Sequence, residues 1–178
     1  QFAADIGVPK GLDYTLATVL QEYVDEKIQA ATSTKDLVQL CTARQTFYNT
    51  MGRNYENCIN RYNVYRMGGS TVSNARVLEH LFRQLQFMCS SGFNIWVANR
   101  DCVNLAQRVS QCADKYDITI FENDPVTFCG DNCENDMVGQ IIYFLANLQS
   151  LQAGWFGCER ERVGWAKDCV TLTCSVSH

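Results

Sequence analysis

Histidine, proline and clustered positive charge are all scarce in this chain of 178 residues, and each scarcity removes a class of explanation. The two histidines are His80 and the C-terminal His178, and only Cys129-x3-Cys133 has a close, ligand-like cysteine spacing. A zinc fold needs paired cysteines with histidines, so no metal site is expected. Lys and Arg total 15 against 19 Asp and Glu, leaving a net charge of -4 and no electrostatic footprint for nucleic acid. No apolar run is long enough to cross a bilayer, so no membrane span is expected. Asn-x-Ser/Thr sequons are absent, so N-glycans are not expected. No Gly-x-Ser-x-Gly occurs to present a nucleophile, and no cofactor motif is found. With only two prolines, Pro9 and Pro125, long uninterrupted helices are permitted.

Cysteine, by contrast, is abundant. Cys41, Cys58, Cys89, Cys102, Cys112, Cys129, Cys133, Cys158, Cys169 and Cys174 make an even set of ten. Their scatter is that of a disulfide framework in an oxidising compartment, and all ten are expected to pair, in any of roughly 945 connectivities. A chain starting at Gln1, with no basic and apolar leader ahead of the fold, reads as a mature secreted protein whose signal peptide has been removed.

Apolar residues recur every three to four positions through most of the chain, the period of a buried helical stripe. Leu16, Val19, Leu20, Tyr23, Val24 and Ile28 define a first helix capped at Asp13. Thr32 to Thr34 cap a second, which runs to Gly52, and Tyr55 to Tyr65 continue as a third segment after a kink or tight turn. After the Gly68-Gly69 loop, Ser73 or Asn74 caps the strongest amphipathic stretch, which stops at Gly92. Asp101 caps a helix toward Tyr116. Residues 117–128, with the β-branched Ile118-Thr119-Ile120 and Pro125, read as a surface loop. A long helix from Asn132 is apolar all round at Ile141 to Leu145 and reads as central, and a last helix from Cys158 to Cys169 follows Gly154 and Gly157. The expected fold is all-α, six or seven helices in one disulfide-stapled bundle spanning 1–178 as a single domain.

Three groups of residues offer chemistry. Arg53, Tyr55, Arg61, Tyr62, Tyr65 and Arg66 form an Arg/Tyr-rich segment; guanidinium groups beside aromatic rings grip carboxylates or sulfates while stacking, so this is the candidate partner surface. Phe93, Trp96, Phe121, Phe128, Trp155, Phe156 and Trp165 fall outside the regular stripes and are candidates to line a pocket for a small apolar ligand. His80, with Arg76 and Gln84 as its i±4 neighbours, reads as a surface histidine without an orienting carboxylate. The acidic run Asp131 to Asp136 lacks the glycine and closing glutamate of a calcium loop and reads as helix capping.

Phe87-Met88-Cys89, then Cys102, Cys112, Cys129-x3-Cys133 and Cys158, resemble in cysteine order the helical cysteine-rich domains of secreted invertebrate proteins, in particular those of the nematode chondroitin-proteoglycan type. The resemblance covers about half the chain and implies a helical fold and an extracellular location. Chondroitin attachment is not implied, because Ser91-Gly92 lacks acidic neighbours. The function expected is that of a secreted, non-enzymatic interaction or structural protein that binds an extracellular protein or itself. A carrier of a small apolar ligand is the alternative, and an enzyme of unfamiliar, cofactor-free type a third.

Overall fold

The computed structural model describes residues 1–9, 16–109, 118–125, 129 and 148–174, and every regular element among them is helical. In chain order these are α1 (Phe2–Asp5), α2 (Ala17–Ala30), α3 (Thr34–Met51), a 3-10 turn (Gly52–Asn54), α4 (Tyr55–Ile59), α5 (Arg61–Arg66), α6 (Val72–Met88), α7 (Phe93–Ala98), α8 (Arg100–Val109), α9 (Ile118–Asn123) and α10 (Leu148–Trp165). The chain groups into two compact units, Gln1–Gln86 and Phe87–His178. No described helix is long and apolar enough to cross a membrane.

The first unit is built from local signals that the sequence displays. Ser33 opens α3 with a capping box, in which the Asp36 carboxylate accepts the Ser33 N–H at 2.9 Å and also the Thr32 N–H at 3.0 Å. These bonds, led by the Ser33 hydroxyl, hold the Asp36 carboxyl below the ordinary aspartate range. Gly52 ends α3 at φ +50, a conformation that side chains with a Cβ rarely adopt. The cap of α2 comes from far away: the Asn74 side chain accepts the Ala17 N–H at 2.7 Å, while Thr71 caps α6 through the Asn74 N–H at 3.1 Å. Asn74 is therefore not the cap of its own helix, nor is Ser73; Asp13 lies outside the described residues.

Helix α6 is the strongest departure from its own pattern. Every residue from Val77 to Phe82 is buried, including Glu79 and His80, so this middle stretch of the helix presents no face to solvent. In the first unit, Phe82 sits in an aromatic cluster with Phe2 and Phe47, ring centroids 5.2 Å away in each case, and with Tyr55 at 6.4 Å. The helix expected to be central, around Ile141 to Leu145, lies outside the described residues.

In the second unit, α10 packs on α7 and α8. It runs unbroken through Gly154 and Gly157, where a break was expected, and stops at Trp165 rather than Cys169. Each interior glycine costs about 1 kcal/mol relative to alanine; burial of Ala153, Gly154 and Phe156 offsets that cost. Residues 118–123 are helical rather than a loop. Ile118 and Phe121, one turn apart, pack with Trp165, Cys169, Cys129 and Leu172 in a small core, and that burial outweighs the β preference of Ile-Thr-Ile.

Disulfides join Cys129 to Cys169 and Cys158 to Cys174, and Cys41 and Cys89 are also disulfide-bonded. Full pairing does not hold: Cys58 and Cys102 are free thiols, each half-buried. Phase with a buried face places a cysteine near the core, whereas a bridge also needs a second Cα within about 4.4–6.8 Å. Cys112 and Cys133 lie outside the described residues.

Candidate functional site

The Arg/Tyr-rich segment divides into an inner and an outer face. Asn60, in an extended conformation, breaks α4 from α5 and accepts the Tyr62 N–H through its side chain at 3.0 Å. The break resets the helical phase. Within α5, Arg61 and Val64 point inward, while Tyr62, Tyr65 and Arg66, spaced three and four residues apart, share the outward face. Tyr62 is 69% exposed and Tyr65 53%, and Met67, just beyond the helix, is 58% exposed. Arg53 is exposed on the preceding 3-10 turn. Thus Arg53, Tyr62, Tyr65 and Arg66 are available to a partner.

Tyr55 and Arg61 are not. Tyr55 is buried, with its ring 5.8 Å from Phe47 and 4.9 Å from Tyr48, and its hydroxyl accepts from Arg44 Nη2 at 3.4 Å. Burial pushes its phenol above the ordinary range, against the opposing pull of Arg44. Arg61 is buried against Glu79, with Nε 2.5 Å from Oε2. Arg83 reaches Glu56 at 2.6 Å and lies 3.8 Å from Glu79 Oε1. Residue type alone places both on the partner surface, because it does not say which side of a short helix faces the core.

His80 also departs from expectation. It is 3% exposed, and its Nε2 lies 3.1 Å from the Gln84 amide nitrogen one turn along α6. Polar residues that mark the solvent side of an isolated amphipathic helix are here enclosed, each with a polar partner. Glu79 and Gln84 belong to this buried polar group, with the half-buried Arg83 at its edge, and the i,i+4 spacings Glu79–Arg83 and His80–Gln84 are the sequence signal for it. Arg44 was missed in the same way, although its guanidinium lies 5.3 Å from the ring of Tyr48, one turn along.

The candidate pocket residues pack mainly on one another. Trp96 and Phe156 are fully buried and stacked, centroids 6.2 Å apart; Phe93 lies edge-on to Trp96 at 6.3 Å. Phe87, absent from the expected set, joins Phe156 at 5.4 Å and Trp155 at 6.0 Å. Phe121 and Trp165 form a separate pair at 5.2 Å. Phe128 lies outside the described residues, as does the acidic run Asp131 to Asp136. Cavities of about 270 and 510 Å³ in the first unit are lined by residues such as Asp5, Lys27, Leu37 and Thr42, with no aromatic side chain among them. The Trp96 indole N–H is buried with no hydrogen-bond partner among the described residues.

No group of three or more His, Cys, Asp and Glu side chains able to hold a metal ion occurs among the described residues. No family model, no curated protein and no solved structure matches the chain.

Proposed function

We propose that the chain is a secreted, disulfide-stapled helical interaction protein without enzymatic activity, engaging an extracellular protein partner through Arg53, Tyr62, Tyr65 and Arg66. The observation that carries this reading is the outward face of α5, where two tyrosines more than half exposed flank an exposed arginine. Tyrosine and arginine are the side chains that most often dominate interface energetics, because each combines a large contact area with hydrogen-bonding capacity. The disulfides support an oxidising setting. The resemblance in cysteine order to secreted invertebrate domains of the chondroitin-proteoglycan type points the same way.

Native, non-reducing mass spectrometry of the protein from its natural source tests the reading. A protein complex is expected, and it should be lost in a Tyr62→Ser/Tyr65→Ser/Arg66→Ser variant whose melting temperature is unchanged. Complexes indifferent to these substitutions would remove the face from consideration.

The carrier reading is favoured by one observation, the indole N–H of Trp96, which lies inside an aromatic cluster with no hydrogen-bond partner among the described residues. A ligand with a carbonyl or hydroxyl acceptor would satisfy it. That reading expects a small-molecule adduct in the same mass spectrum and a change in tryptophan emission when lipid or terpenoid is added.

A further inference from the structure

We infer that the groove between α1, α2 and α3 in the first unit is a binding site for a small zwitterion, an α-amino acid with an apolar side chain. Neither α5 nor any aromatic residue lines it, so it is separate from the Arg/Tyr face and from the Trp96 cluster. The cavities of about 270 and 510 Å³ share Asp5 and Gln39, and together they follow α3 from Asp36 to Thr46. The first of them is close to the lower end of small-molecule sites, a size that suits a single amino acid.

Charges of both signs line this first cavity and do not neutralise one another. Asp5 ends α1, Lys27 lies in the last turn of α2 and Asp36 in the first turn of α3. All three contribute to the cavity wall, yet none forms an ion pair among the described residues. The Lys27 ammonium faces the Tyr23 ring instead, 5.3 Å from its centroid. The bonds that Asp36 accepts from Thr32 and Ser33 all fall on Oδ2, and none falls on Oδ1 among the described residues. Opposite charges that share a cavity without meeting are complementary to a ligand that carries both on one covalent frame. A lone amine would be repelled by Lys27, and a lone carboxylate by Asp5 and Asp36. A zwitterion answers both signs: its ammonium donates to the carboxylates while its carboxylate accepts from Lys27. Ile6, Leu37 and Leu40 line the same cavity and offer apolar contact to a side chain. A metal ion is the poorer fit, because no third His, Cys, Asp or Glu joins Asp5 and Asp36 among the described residues.

The test is a titration of the full, disulfide-intact, isotope-labelled chain with L-leucine and L-phenylalanine, followed through its amide chemical shifts. Saturable changes are expected at Lys27, Leu37 and Gln39, and none at Tyr62 or Trp96. N-acetyl-L-leucine lacks the ammonium and L-leucine methyl ester lacks the carboxylate, so each should bind at least about tenfold more weakly than leucine. Asp5 and Lys27 are exposed, and Asp5→Asn and Lys27→Gln should leave the melting temperature unchanged, whereas Asp36 also caps α3 and is left in place. Asp5→Asn should weaken leucine and its methyl ester by at least about threefold and leave N-acetylleucine unaffected; Lys27→Gln should weaken leucine and N-acetylleucine to the same degree and leave the ester unaffected. No saturable change with either amino acid up to about 10 mM, changes that map outside the groove, or affinities indifferent to both substitutions would each overturn the inference.

Discussion

Arg61 and Arg66 sit five residues apart in one helix and have opposite fates. Five helical steps turn the chain by 500°, which places the two side chains about 140° apart, so one arginine of such a pair faces inward when the other faces out. Sequence gives the angle between them but not which one meets the core, and that missing choice put Arg61 and Tyr55 on the wrong side. The consequence is measurable. Arg61→Ala should cost about 3 kcal/mol in urea unfolding, because it removes the nearest cation from the buried Glu79 carboxylate and leaves it the more distant Arg83, whereas Arg66→Ala should stay within about 0.5 kcal/mol. Equal and small effects would place the ion pair in solvent. Gly92 gives a second residue-scale case. Its place after an amphipathic stretch suggests a helix stop, yet its φ of -84 suits any residue, and its requirement is space: a Cβ there would meet Phe87 Cζ at 2.8 Å and Phe156 Cε2 at 3.1 Å. Gly92→Ala should therefore destabilise by about 1–3 kcal/mol through overpacking, and denaturant unfolding of the variant reads this directly.

At the scale of elements, legibility followed the locality of the cause. The capping signal at Thr32 to Thr34, the Gly52 stop and the Gly68-Gly69 turn are set by a residue and its near neighbours, and each was visible in the sequence. The helix at 118–123 and the continuity of α10 through two glycines were not, because distant packing partners, Trp165 for Phe121 and Phe87 for Phe156, decide them. The capping box also predicts a pH dependence. Asp36 has its carboxyl pKa depressed in the folded state, so its stabilising contribution is fully present above the unfolded aspartate value of about 3.9 and is lost as pH falls through the lower folded value. The difference in melting temperature between the wild-type chain and Asp36→Asn should be greatest near neutral pH and shrink below about pH 4. A difference that stays constant down to pH 2 would show that the carboxylate charge plays no part. Ser33→Ala should cost about 1 kcal/mol, as loss of a capping side chain does.

For the whole molecule, the pattern of free and bridged cysteines decides how the chain resists unfolding. The segment after α10 has no regular structure from Asp168 to Cys174 beyond turns, and Val170 is 85% exposed, so its few buried contacts leave the two bridges as its main restraint. Cys129–Cys169 closes a separation of 40 residues and Cys158–Cys174 one of 16, which by chain entropy correspond to about 4 and about 3 kcal/mol. Cys169 is also buried beside Phe121 and Trp165, whereas Cys174 is only half-buried at the end of the described chain. Cys129→Ala/Cys169→Ala should therefore lower the melting temperature more than Cys158→Ala/Cys174→Ala, and hydrogen exchange should spread into α9 and the end of α10 only in the first variant. The reverse order would mean that loop closure at the chain's end, and not the bridge through the aromatic core, governs stability. Alkylation of the unreduced, denatured protein followed by peptide mapping fixes the starting point: Cys58 and Cys102 should take the label and Cys41, Cys89, Cys129, Cys158, Cys169 and Cys174 should not. Label at the second group would remove the staples on which this ordering depends.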